Sequence, residues 1–281
     1  MNLITQDKGI YIFKKDEQNF IKFCPARGGL ITSWVNNSEC ILYFDEERFL
    51  NTSKSIRGGI PILFPICGSL NNHFSLFGPD YKDLKQHGFA RDIDWQFDVD
   101  TKKNRLNLML VSNEITKEYY PFNFKLNIEI SLGINSLEFE ICIVNKSRKR
   151  MPVNFGLHPY FNISNFNNLK FINYPRECQN QKNNTLETTE NLLSNISDGV
   201  DLLMHSNGEI SFKDFGLNRQ ITLINPKPFD LSVIWSDPPR KMICLEPWTS
   251  PRNSFIDGFR NINLLPNQMQ KLTASIKVNS L

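Results

Sequence analysis

The sequence predicts an all-β fold, a large sandwich or barrel. Apolar residues recur at every second position in several runs, helical periodicity is scarce, and no linker, repeat or low-complexity tract divides the chain. The alternating runs come in order. Ile21 and Phe23 flank Lys22. Leu106, Leu108 and Leu110 alternate with Asn107 and Met109. Phe124, Leu126, Ile128 and Ile130 alternate with polar partners, as do Leu137, Phe139, Ile141 and Ile143. Such a period places one face in a core and the other in water, the habit of antiparallel sheets. Gly133, Asn135 and Ser136 separate the last two runs and predict a hairpin. Further strands are expected at 10–13, 41–44, 209–212, 221–224, 231–235 and 242–245, with 272–278 closing the chain. Short helices are expected at 44–50 and 187–194, and Gln179–Thr189 reads as a polar surface loop. One domain covering residues 1–281 is the expectation.

Composition narrows the functional classes. The 281 residues are 40% hydrophobic and 22% charged, with 33 aromatics, which excludes a wholly disordered chain. A net charge of +3 is too small and too dispersed to announce a nucleic-acid partner. The basic cluster Lys146, Arg148, Lys149 and Arg150 reads as a solvated turn between strands. Six cysteines (Cys24, Cys40, Cys67, Cys142, Cys178, Cys244) show no close pairing, so neither a zinc knuckle nor a redox pair is expected, and the usage fits a reducing compartment. The first 13 residues lack the basic and apolar regions of a signal peptide, and no apolar run approaches the roughly 18 residues of a membrane span. A cytoplasmic protein with no membrane association is expected.

Four segments break the alternation. In Ile56-Arg57-Gly58-Gly59-Ile60-Pro61, two glycines follow a charge inside an apolar stretch, which suits positive φ or a close backbone approach to a ligand. Read alone, Arg57 is an arginine paired with a carboxylate beneath a turn. Gln86-His87-Gly88-Phe89-Ala90-Arg91 offers a group that titrates near neutrality and a fork of donors, although a lone His-Gly is most simply a turn. Asn154-Phe155-Gly156-Leu157-His158-Pro159-Tyr160-Phe161 sets His158 among rings that could cover the apolar face of a sugar or simply form core. In Cys244-Leu245-Glu246-Pro247-Trp248 a carboxylate ends an apolar strand, where it must be paired or have its pKa raised for work as a general base. His73 and His205 sit in polar surroundings and receive no role. No histidine spacing suggests a metal site.

Arg57, His87, His158 and Glu246 are separated by 30, 71 and 88 residues, so only the fold could unite them. Together they suit proton transfer on a hydroxylated ligand. On Arg57-Gly58-Gly59-Ile60-Pro61, His87-Gly88-Phe89-Ala90-Arg91, Leu157-His158-Pro159-Tyr160-Phe161 and Leu245-Glu246-Pro247-Trp248, in that order, the chain resembles the aldose 1-epimerase (galactose mutarotase) superfamily. Within it, the chain is nearest the branch of glucose-6-phosphate 1-epimerases and bacterial mutarotase-like proteins. The resemblance implies a β-supersandwich that interconverts α and β anomers at C1 of an aldose. It implies Glu246 as the base on the C1 hydroxyl, His158 as the acid on the ring oxygen, and His87 as the second histidine on the sugar. Arg57 matches the ligand-binding arginine and Asp201 the sugar-binding aspartate, while Arg91 is a second candidate for an anion. No cofactor or metal is implied, and the partner is a small sugar or sugar phosphate. In that mechanism Glu246 would be ionised while His158 carries the proton.

Two departures bear on the substrate. Phe64-Pro65-Ile66-Cys67-Gly68 stands where the phosphate-sugar branch usually has Trp-Pro-Trp-Phe-Gly, and Pro159 replaces a threonine. A free hexose and a hexose 6-phosphate are both compatible. A non-catalytic carbohydrate-binding protein would retain the arginines and rings but has no need of the acid–base set. A glycoside hydrolase needs two carboxylates, and only Glu246 stands in a persuasive motif.

Overall fold

Alternating burial builds the largest sheets. In the computed structural model, which describes residues 2–5, 9–71 and 76–281, strand Phe124–Leu132 turns its even-numbered residues into the core and its odd-numbered ones outward. It pairs in antiparallel register with Ser136–Asn145, from Leu137 opposite Leu132 to Asn145 opposite Phe124. Gly133 closes the turn by donating its amide to the Ser136 carbonyl at 2.9 Å, as the sequence predicts. This hairpin sits inside an eight-stranded sheet. The strand order is Leu169–Ile172, Glu209–Asp214, Arg219–Ile224, Met269–Ser280, Ser136–Asn145, Phe124–Leu132, Arg105–Val111 and Gln96–Asp100. The last strand of the chain therefore lies in the interior of this sheet, between Ser136–Asn145 and Arg219–Ile224.

A second sheet of eight strands carries Asp201 and Glu246. Its path runs Thr185–Thr188, Glu177–Asn180, Asp201–His205, Leu231–Ser236, Met242–Trp248, Gly156–Leu157 and Ile62–Leu63, with Tyr160–Asn162 also paired to Met242–Trp248. Strand Met242–Trp248 is buried at every position, so both of its faces are covered and its sequence is nearly continuously apolar. A five-stranded sheet from the first 40 residues and the pair Met151–Val153 with Ile262–Leu264 complete the antiparallel framework. Fully buried Phe13, Phe23, Trp34, Phe124, Phe161 and Phe212 belong to the main core. Each such side chain contributes about 1.5–3 kcal/mol of transfer free energy.

Several expectations are corrected. Residues 41–44 form two isolated bridges, Leu42 with Phe161 and Phe44 with Gly58, because their amides alternate between the Trp34 and Tyr160 carbonyls rather than following one partner strand. The presumed loop at 179–189 is largely a hairpin, Glu177–Asn180 with Thr185–Thr188. Its polarity is that of an edge with one face in water, which composition alone does not distinguish from a loop. The two expected helices are shorter, Glu46–Leu50 and Thr189–Ser194. The first starts where the Asp45 side chain accepts the Arg48 amide at 3.0 Å. The basic cluster does lie in a turn, and all six cysteines are free. His73 falls outside the described residues. Among the described residues no helix is long and apolar enough to cross a membrane.

Candidate active site

Strand register brings the first two residues together. Gly156 pairs with Trp248 and Tyr160 with Cys244, so the intervening His158 stands across from Glu246. Pro159 has no amide to give the ladder, and the strand is interrupted between Leu157 and Tyr160. The His158 amide instead donates to the Pro61 carbonyl at 3.0 Å. The His158 Nε2 lies 3.4 Å from Glu246 Oε1, and the Trp248 indole N–H donates to Glu246 Oε2 at 3.0 Å. Glu246 is only 1% exposed and His158 8%. Tyr160 stacks on the His158 ring at 4.6 Å between centroids, and Trp235 meets it edge-on at 5.8 Å.

His87 reaches the same place from a loop, with φ at 68°. Its amide donates to the Gly68 carbonyl at 2.7 Å and its ring Nδ1 accepts the Gly68 amide at 3.0 Å. An Nδ1 that accepts cannot hold a proton, so the neutral ring carries its hydrogen on Nε2 and is a donor there. His87 packs edge-on to His158 at 5.5 Å and to Trp248 at 5.7 Å. Gly68 thus holds His87 through its backbone alone, while its φ of 70° and its closeness to Arg252, whose Cγ a Cβ there would approach to 2.3 Å, are what favour glycine. Gly59, with φ at 69°, has a different reason from the ligand approach considered above. A Cβ on it would lie 2.2 Å from the Ile31 carbonyl oxygen, so its smallness serves backbone packing.

Arg57 is paired with a carboxylate, as the residue read alone suggests, and also lines the cavity. Its Nε is 3.5 Å from Asp237 Oδ2, its guanidinium lies 5.3 Å from the Trp235 ring centre, and the side chain still lines the cavity. Arg91 donates to the Gln86 carbonyl at 2.9 Å and belongs to no ion pair among the described residues. Asp201 is bound by Arg252 at 2.7 Å and by the Gln181 side-chain amide at 2.8 Å. Glu246, His158, His87, Arg57, Arg91 and Asp201 thus share one cavity of about 250 Å³ with Tyr160, Trp235, Trp248 and Arg252.

Arg252 was not singled out from the sequence. It stands six residues beyond Glu246 in an irregular segment, where periodicity carries no signal. The fold fixes that segment through buried Asn154, which accepts a hydrogen bond from Ser250 at 2.7 Å and donates one to Ser254 at 2.6 Å. Trp235 belongs to an apolar strand, and its role at the cavity follows from register with Asp201 and Cys244.

Electrostatics modifies the expected protonation. Burial, and next the Asp201 charge, raises the Glu246 carboxyl well above the ordinary range, against the Trp248 N–H and Arg252. Burial first, then Arg91 and Arg57, pushes His158 down to about 3. His87 is lowered well below its usual value, again chiefly by burial. Each shift favours the neutral form of its group, the carboxylic acid for Glu246 and the neutral imidazole for His158. The mechanism expected from the sequence needs Glu246 ionised while His158 carries its proton, and burial works against both charged forms because each loses hydration. The Cys244 thiol also approaches, its sulfur lying with donor atoms of His158 and Glu246 inside a 4.8 Å cluster. Burial and the neighbouring Glu246 oppose its ionisation, and a thiol held protonated is a poor metal ligand.

Comparison with known proteins agrees with this architecture. Residues 15–277 match the aldose 1-epimerase family. A protein of Cenchrus ciliaris named "Putative glucose-6-phosphate 1-epimerase" is 30% identical over 155 residues, 51% of this chain and 44% of that one, so the chain spans less than half of that relative's length. The crystal structure of the Slr1438 protein from Synechocystis sp. PCC 6803 superposes with a TM-score of 0.91 at 34% identity, over 100% of both chains. A galactose mutarotase-like protein from Lactobacillus casei shares the fold, with a TM-score of 0.78 at 19% identity over 96% of this chain and all of the other. The all-β galactose mutarotase-like fold is thereby established, and the chain belongs to the aldose 1-epimerase family.

Proposed function

We propose that the protein is an aldose 1-epimerase, opening and reclosing the ring of a hexose to interconvert its α and β anomers. The observation that carries this reading is the approach of His158 Nε2 to Glu246 Oε1 at 3.4 Å in a cavity ringed by arginines and aromatic side chains. Ring opening of a hemiacetal needs a base at one oxygen and an acid at the other. A sugar hydroxyl donating to Glu246 favours the carboxylate, and the pair's single proton then resides on His158 without any change in proton count. Glu246 takes the proton of the C1 hydroxyl and C1=O forms. The bond between C1 and the ring oxygen breaks, its electron pair going to that oxygen, which receives the proton of His158. Rotation about C1–C2 presents the other carbonyl face, and the reverse transfers close the ring. His87 donates through Nε2 toward the ring oxygen, while Arg57, Arg91 and Asp201 hold hydroxyls.

A second reading, a hexose 6-phosphate as substrate, is favoured by one observation: Arg57 and Arg91 line the same cavity and Arg91 has no carboxylate partner among the described residues. The name of the Cenchrus relative points the same way. The test follows anomerisation of fresh α-glucose and α-glucose 6-phosphate by polarimetry or NMR, with the native protein and His158→Asn. Acceleration by the native protein alone supports the epimerase, and the faster of the two sugars identifies the class. Saturable binding of either sugar without acceleration would make the protein a carbohydrate binder.

A further inference from the structure

Asp237 and Arg240 take no part in the cavity lining, yet both bear on Arg57, which does. Resting on the epimerase reading, we infer that Asp237, braced by Arg240, is a positioning residue. It holds the Arg57 guanidinium beside Trp235, so that the donors turned toward the sugar are in place before the sugar arrives.

The contacts form a closed circuit. Asp237 Oδ2 lies 3.5 Å from Arg57 Nε and 2.9 Å from Arg240 Nη1, so one carboxylate oxygen serves two guanidiniums. Asp237 and Arg240 belong to the turn between strands Leu231–Ser236 and Met242–Trp248. There the Arg240 amide donates to the Asp237 carbonyl at 3.1 Å, and the bend brings the two side chains together. Arg240 Nε in turn lies 3.8 Å from Asp45 Oδ2, and the Asp45 amide donates to the Arg57 carbonyl at 2.9 Å. Arg57 is therefore fixed at its backbone by Asp45 and at its side chain by Asp237.

This circuit leaves a defined part of Arg57 for a ligand. Nη1 donates to Ser55 Oγ at 3.0 Å and to the Ile56 carbonyl at 3.3 Å, while Nε faces Asp237. Nη2 has no protein partner among the described residues, on a side chain that lines the cavity. A guanidinium already fixed gives up less rotamer freedom when it meets a hydroxyl, so the ligand gains from the ordering. The same contacts do little for the fold. The side chains of Arg57, Asp237 and Arg240 are 28%, 30% and 29% exposed, and ion pairs so open to solvent are weak stabilisers.

The experiment combines kinetics with NMR of the full chain. For whichever of glucose and glucose 6-phosphate is turned over, Asp237→Asn should raise KM by about tenfold, equivalent to about 1.4 kcal/mol. Its kcat should stay within about twofold, the signature of a contact made equally in ground and transition states. Arg57→Gln should behave alike, and the double variant should be no worse than Arg57→Gln, because Asp237 acts through Arg57. An unchanged KM, a loss confined to kcat, or losses that multiply in the double variant would overturn the assignment and leave the epimerase standing. Arg240→Gln should raise KM by a smaller factor, about threefold, and replaces Asp237→Asn in the same comparison should that variant not fold. NMR relaxation of the arginine Nε–H groups supplies a readout independent of turnover. The Arg57 signal, identified by its loss in Arg57→Gln, should be rigid in the native protein and mobile in Asp237→Asn. If no sugar is accelerated, the epimerase reading falls and this signal decides: Arg57 freed by the substitution supports the positioning role, and Arg57 equally rigid in both proteins rejects it.

Discussion

His158 and Glu246 face each other across a break in a β-ladder. The strand segments on either side of His158 both pair with Met242–Trp248, and the proline after His158 interrupts the pairing where the two side chains meet, 3.4 Å apart. A carboxyl on a fully covered strand and an imidazole on an interrupted one are thereby brought together by backbone register, and the Trp248 indole on Glu246 and the Tyr160 ring on His158 then orient them. The same burial that orients them also strips their hydration, and this sets the behaviour expected of the site.

Replacing either member should abolish most of the rate. His158→Asn and Glu246→Gln are each expected to lower kcat/KM for anomerisation by about 10²–10⁴-fold, the usual contribution of a positioned acid or base. Polarimetry on fresh α-glucose and α-glucose 6-phosphate measures this. Activity equal to the native protein in either variant would remove that residue from the chemistry.

The pH profile should be a broad bell. Activity requires one proton on the pair, so it is lost at low pH when His158 also binds a proton and at high pH when Glu246 gives its proton up. With His158 pushed down to about 3, no acid limb is expected around pH 6.5, where an exposed histidine titrates, and the raised Glu246 places the alkaline limb above the ordinary carboxylate range. Stopped-time NMR rates from pH 4 to 10 provide the check, and an acid limb centred near 6.5 would contradict the assignment.

Asp201 and Arg252 should move the alkaline limb in opposite directions. The Asp201 charge raises Glu246 and Arg252 lowers it. Asp201→Asn is therefore expected to shift that limb to lower pH, and Arg252→Gln to higher pH. Shifts of the same sign in the two variants would show that the pair acts through structure instead of charge.

Stability should carry the same signature. An unfolded His158 binds a proton below about pH 6.5, whereas the folded one does so only near 3, so the unfolded state holds more protons between these values and stability falls as pH drops. One such group contributes a slope of about 1.4 kcal/mol per pH unit in that window. Urea unfolding at pH 7 and 4.5 should show a smaller loss in His158→Asn than in the native protein, with His87 retaining its part of the dependence.

What could be read from the chain followed local chemistry. Strict alternation in Phe124–Leu132 and Ser136–Asn145 announced strands because each residue reports its own face, and the glycine between them announced the turn. His87, His158 and Glu246 stood out because each breaks an apolar or turn pattern at some cost in hydration. The hairpin at 177–188 did not, since an edge strand facing water has the composition of a loop. Arg252 lacked any local mark. Its place depends on Asn154, nearly a hundred positions earlier, and on the missing side chain of Gly68. Protonation was likewise decided by folding: residue types supply an acid and a base, but only burial among Asp201, Arg57 and Arg91 determines which of them holds the proton. Electrostatic energy depends on distance and hydration in three dimensions, and neither exists until the sheets have closed.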